Sequence, residues 1–149
     1  MLPDPEETPL AAHLRLLREL MLERIPFNRV LGIDIVALEH GRAVLVVPFR
    51  PELVGDPFRP ALHGGVISAL ADTCGGCAVW STIGEGDRVS TIDLRVDYLR
   101  PARLEDLHAA GEVQRVGNRV GVAKISLFHP SRPDELVGEA KGVYSVKRA

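Results

Sequence analysis

Nowhere in this 149-residue chain do 18 apolar residues follow one another without a charge, which is about the length a helix needs to cross a bilayer. No membrane-spanning helix is expected. The opening MLPDPEETPL is acidic and proline-rich, whereas a secretory leader starts with a basic segment, so a cytoplasmic protein is expected. An excess of one charge is missing as well: 18 Lys and Arg stand against 20 Asp and Glu, a net charge of −2. The cations are scattered, and the chain lacks the electrostatic footprint of a nucleic-acid binder. A neutral or small anionic partner fits better. Repeats, low-complexity tracts and Gly/Ser linkers are absent, which argues for one globular domain burying about 70% of its unfolded surface.

Only two cysteines occur, Cys74 and Cys77, in a C-G-G-C run. A redox pair of that spacing belongs at a helix N-terminus after a strand, but this one lies deep in an apolar stretch. A structural zinc would need two more ligands, and the five histidines contain no H-x3-H or H-x4-H pair. The pair is therefore read as small buried residues that let a helix pack closely, and no metal is expected.

What the chain does contain is periodicity. From Thr8 to Glu23, Leu10, Leu14, Leu17 and Met21 recur at helical spacing behind Thr8 as a cap and Pro9 in the first turn. This predicts an amphipathic N-terminal helix ending near Pro26. IDIVALE and RAVLVVPF, after Gly32, read as two strands joined by a hairpin turn at His40-Gly41. Pro48, Pro51, Pro57 and Pro60 predict a loop, and the apolar run from Leu62 to Trp80 predicts a long buried helix. Alternation over STIDLRVDYL predicts a half-buried strand with Ile92, Leu94, Val96 and Tyr98 on one face and Thr91, Asp93, Arg95 and Asp97 on the other. Three further strands, LHAAGEVQRV, RVGVAKISLFH and LVGEAKGVYSV, are separated by turns rather than helices, which implies an antiparallel sheet. The fold class is α+β: a hairpin, one central helix and an antiparallel meander, with a helical extension over residues 1–26 and the main domain over 27–149.

One carboxylate, Asp72, interrupts the apolar helix. An ionised Asp resists leaving water and needs a donor or a raised pKa, so it is either a structural Asp bonded to backbone or Arg, or a carboxylate lining a cleft. Upstream, Pro60-Ala61-Leu62-His63-Gly64-Gly65 delivers two glycines to the helix start. There the first amides have no intrahelical acceptor and the dipole end is positive, so an oxygen gaining negative charge could dock. A plain turn, with His63 as a cap, is the alternative.

Taken together, LHGGVISALADTCGG and STIDLRVDYLRPA resemble the phenylacetate-type (PaaI-like) hotdog-fold acyl-CoA thioesterases, a likeness that extends from about Phe27 to Lys147. The resemblance implies an antiparallel sheet wrapped around a long central helix, assembly at least as a dimer, and hydrolysis of an acyl- or aryl-CoA thioester. It places Asp72 where the family activates water or attacks the thioester carbonyl, and Gly64 where a backbone N–H polarises that carbonyl. His63 and Gly65 complete the motif, and Thr91 falls where a Ser or Thr orients the attacking water. One position departs: some relatives carry Asn six residues before the motif His, and here that place is Pro57.

Geometry adds a constraint. If Gly64 and Asp72 share one helix, eight residues separate them by roughly 12 Å, and one carbonyl cannot meet both groups of a single chain. An enzyme would need two protomers related by a two-fold axis, as a dimer or as a tetramer of paired dimers. Leu53, Val54, Phe58, Val66 and Trp80 are candidates to line the acyl tunnel. Arg100, Asn118 and Arg119 are candidates for the coenzyme A phosphates, Arg being suited to bidentate contacts, while Arg95 reads as part of a surface charge network. No cofactor is expected beyond the coenzyme A of the substrate. A hotdog hydratase or dehydratase, a noncatalytic acyl-CoA or aromatic-ligand module, and a purely structural dimer remain the alternatives.

Overall fold

Helix α1 spans Pro9–Glu19 in the computed structural model, which describes residues 6–149; the first five residues of the expected 1–26 extension lie outside the described residues. Thr8 Oγ1 accepts the Ala11 N–H at 3.2 Å, capping α1 as its sequence predicts. The first helical run ends just before Pro26, as expected, but from Leu20 to Arg24 it widens into a π-turn, and Pro26 then begins a second helix, α2 (Pro26–Leu31). Proline is well placed at a helix start because the N–H it lacks has no acceptor there. Gly32, at φ 72°, closes α2 in the left-handed conformation that favours glycine.

A hairpin follows, β1 (Asp34–Glu39) and β2 (Arg42–Val47), joined at His40-Gly41 with Gly41 at φ 80°. The proline-rich segment is not wholly irregular: β3 (Val54–Asp56) pairs with β4 (Ala61–Leu62). Helix α3 (Gly64–Trp80) comes next, and then β5 (Arg88–Tyr98), β6 (Leu107–Val116), β7 (Val120–Phe128) and β8 (Gly138–Lys147). Six strands form one antiparallel sheet in the order β1-β2-β6-β7-β8-β5. The meander β6-β7-β8 follows chain order. Strand β5 crosses to the far edge and pairs with β8 alone, leaving its other side without a strand partner among the described residues.

The sheet wraps α3, which packs on β2, β5, β6, β7 and β8. Its apolar character is explained by burial: Leu70, Ala71, Cys74, Cys77, Ala78 and Val79 are all fully enclosed. Close approach depends on glycines. A Cβ on Gly75 would lie 2.3 Å from the Tyr144 hydroxyl, and one on Gly121 would lie 2.6 Å from Val79. Neither cysteine is in a disulfide; the Cys74 thiol points at the carbonyls of Ala43 and Ala109, and burial raises both thiol pKa values, that of Cys77 to about 12. Leu17, Met21 and Leu31 join the same core, so the N-terminal helices are part of the wall around α3.

Candidate active site

Asp72 lies midway along α3, half-buried, with its side chain toward β5. Its Oδ1 accepts a hydrogen bond from Thr91 Oγ1 at 2.7 Å. Among the described residues the carboxylate has neither an arginine partner nor a backbone donor, so its remaining acceptor capacity faces the adjoining cavity of about 250 Å³. Met21, Asn28, Asp72, Trp80, Thr91 and Tyr144 are among the residues lining it.

Thr91 reaches Asp72 because β5 is bulged. The register steps from Thr91↔Tyr144 to Asp93↔Val143, so Ile92 is the extra residue. A bulge of this kind reverses which residues face the core. Val89 and Thr91 face inward before it, whereas Leu94 and Val96 face inward after it. The single alternation expected for this strand is therefore corrected: Thr91 does not share the face of Asp93, Arg95 and Asp97, and Ile92 is 58% exposed.

At the helix start, His63 is the N-cap, and its Nδ1 accepts the Gly65 N–H at 2.7 Å. That bond explains Gly65, where a Cβ would come within 2.8 Å of the same nitrogen. Gly64 is different. A Cβ there would meet only the Tyr98 ring at 3.5 Å, an ordinary contact, so this fold does not require glycine at that position. The Gly64 N–H heads the helix, where no intrahelical acceptor exists, and no other acceptor for it occurs among the described residues. Since α3 is continuous from Gly64 to Trp80, that amide and Asp72 are roughly 12 Å apart in one protomer.

The remaining sequence candidates are dispersed. Trp80 lines the Asp72 cavity, held by its Nε1–H to the Asp87 carbonyl at 3.1 Å. Val66 and Leu53 are buried in the core instead. Phe58 is 93% exposed, in a loop where Asp56 Oδ1 accepts the Phe58 and Arg59 amides. Arg100 sits 3.8 Å from Glu135. Asn118 and Arg119 line a separate cavity at the β6–β7 turn, joined there by Arg115. Arg95 pairs with Asp97 at 3.2 Å on the surface.

Three lining residues escaped the sequence reading. Asn28 is 3% exposed, and its Nδ2 donates to the Met21 carbonyl at 3.0 Å, tying the π-turn to α2. Tyr144 donates to the Asp72 carbonyl at 2.9 Å and is buried against α3, which raises its pKa, with the nearby Asp72 adding to the shift. Met21 reads as core in any helical pattern. Asn28, beside Arg29 in the otherwise apolar stretch from Ile25 to Ile33, was the one available signal.

Residues 60–136 match the thioesterase superfamily. The chain is 38% identical over 129 residues to the medium/long-chain acyl-CoA thioesterase YigI of Escherichia coli, covering 78% of this chain and 83% of that one. It is 30% identical over 110 residues to the acyl-coenzyme A thioesterase PaaI of the same species, 73% of this chain and 75% of that one. The solved PaaI structure shares its fold, with a TM-score of 0.82 at 24% identity over 94% of this chain and 97% of that chain. A solved protein from Shewanella oneidensis related to the same superfamily gives a TM-score of 0.82 at 30% identity, covering 93% and 97%.

Proposed function

The chain belongs to the thioesterase superfamily, and from that membership we propose that it hydrolyses medium- to long-chain acyl-CoA thioesters to free acid and coenzyme A. The observation that carries this reading is a half-buried carboxylate, Asp72, held by the Thr91 hydroxyl at 2.7 Å and open to an apolar cavity. The Gly64 N–H binds the thioester oxygen and strengthens its bond as the oxygen becomes an oxyanion. Asp72 either takes a proton from water as its oxygen attacks the carbonyl carbon, or attacks that carbon itself to form an anhydride that water then opens. In both routes the C–S bond breaks and the sulfur leaves as the coenzyme A thiol.

The 12 Å gap makes the active unit a two-fold dimer. Strand β5 offers eleven residues of open edge. Pairing β5 with its own copy, centred on Arg95 so that opposed residues share a face and with the bulge residue Ile92 skipped, sets Thr91 of one protomer opposite Tyr98 of the other. Thr91 marks Asp72, and Tyr98, whose hydroxyl donates to the Gly64 carbonyl at 3.4 Å, marks the helix start. Each site then takes its carboxylate from one protomer and its amide from the other. Asn118, Arg119 and Arg115 serve the phosphates.

Two variants test this. Asp72→Asn lowers turnover by roughly 100- to 10,000-fold, the range for loss of a general base. Gly64→Pro removes the N–H at a position where proline suits a helix, and His63 already has the extended backbone, φ −59° and ψ 134°, that precedes proline; a loss of about 100-fold or more is expected. Mixed one to one and allowed to exchange subunits, the two dead proteins recover about a quarter of wild-type thiol release, because each mixed dimer holds one complete site. No recovery with proven exchange refutes the shared site, and full activity in Asp72→Asn refutes the reading itself.

A further inference from the structure

Trp80 is a wall of two cavities. On one side is the Asp72 cavity; on the other is a second one, of about 480 Å³, bounded by Leu16, Leu17 and Leu20 of the N-terminal helix and by the 84–88 turn. The partition is one residue thick elsewhere too. Met21 faces the first cavity and its neighbour Leu20 the second, while Val89 faces the first and Arg88 the second.

The first cavity runs along α3. Asp72, Thr73, Gly76, Cys77 and Trp80 all line it, a spacing that marks one helix face. From Asp72 to Trp80 that face is roughly 12 Å long. Carbon–carbon bonds of about 1.5 Å advance an extended alkyl chain by roughly 1.25 Å each, so about eight to ten carbons reach from the carboxylate to the indole. The second cavity suits the same kind of occupant. Its lining carries both signs, Arg24 and Arg88 with Glu85 and Asp87, the last already paired with Arg148 at 3.0 Å, and Leu16 remains 38% exposed.

We propose that Trp80 is the chain-length gate of this protein: acyl tails up to about ten carbons stop against the indole, and longer tails pass it into the cavity beneath α1. Among the described residues a single side-chain hydrogen bond, to the Asp87 carbonyl, holds the indole between the two cavities. The proposal rests on the acyl-CoA reading above, and Trp80 acts on specificity rather than on the reacting atoms.

Thiol release from saturated acyl-CoAs of increasing length tests it. In the wild type, kcat/KM rises about fourfold per buried methylene and the rise breaks near ten carbons. Trp80→Ala moves the break toward longer chains, Trp80→Phe moves it less in the same direction, and adding Leu20→Trp to Trp80→Ala fills the second cavity and returns the break toward its original place. A break that stays put in Trp80→Ala, or a double variant that ignores Leu20→Trp, overturns the gate. Trp80 is also the chain's single tryptophan, so emission from the Asp72→Asn protein reports when a bound tail arrives. A change that begins near eight carbons is expected, and emission indifferent to length refutes the gate even where Trp80→Ala fails to fold. Length-dependent emission with no thiol released from any substrate by the wild type would instead keep the gate and reject the hydrolase.

Discussion

Asp72 and Thr91 form the smallest unit with chemical content. A hydroxyl that donates to a carboxylate fixes the side-chain rotamer and leaves the second oxygen turned to the cavity. Hydrogen bonds to charged groups contribute about 1.5–3 kcal/mol, so Thr91→Ala is expected to lower kcat/KM by roughly 10- to 100-fold, with Thr91→Ser retaining most of it. Serine keeps the donor, and only a role through the hydroxyl predicts that split; equal loss in both variants would point to packing by the threonine methyl. The cysteines show the opposite situation. Enclosed on α3 and held protonated by burial, they act as small packing groups despite a spacing that suits redox chemistry.

Helix α3 combines two demands along one element. Its buried faces must be small and apolar to sit inside the curl of the sheet, while one face turns Asp72 and Trp80 toward the same cavity. The glycine pair in Cys74-Gly75-Gly76-Cys77 meets the first demand: Tyr144 passes so close that a Cβ on Gly75 would come 2.3 Å from its hydroxyl and 2.9 Å from Ile125. Gly75→Ala therefore overpacks the core, at a cost of about 1–3 kcal/mol. Tyr144→Phe loses the bond to the Asp72 carbonyl, about 0.5–1.5 kcal/mol, and opens space for the new methyl. In denaturant melts the double variant should be more stable than the sum of the two single losses predicts; strict additivity would mean that Ile125, not the tyrosine, sets the limit. Strand β5 shows how one extra residue changes chemistry, since without the bulge at Ile92 Thr91 would point away from the helix.

For the whole molecule, the decisive feature is the open edge of β5. An eleven-residue strand with Ile92 at 58% exposure invites another strand. Ile92→Lys places a charge where the second copy would pack, and a monomer with at least 100-fold lower turnover is expected, with mass read by light scattering beside the thiol assay. A monomeric variant of full activity would break the link between assembly and catalysis. The N-terminal segment belongs to this scale as well, because the π-turn and α2 place Met21 and Asn28 on the wall of the Asp72 cavity.

Local rules written in the residue order settled the hairpin at His40-Gly41, the buried helix from the HGG motif to Trp80 and the meander, because each depends on periodicity, capping or turn chemistry among near neighbours. Four things came only with tertiary contact: the crossing of β5 to the far edge, the bulge that turns Thr91 inward, the π-turn that roofs the cavity, and the two voids that share Trp80. Their physical cause is packing between segments far apart in the chain, where a Tyr144 needing a Gly75, or a Leu20 lying across from Trp80, leaves no periodic trace in either segment.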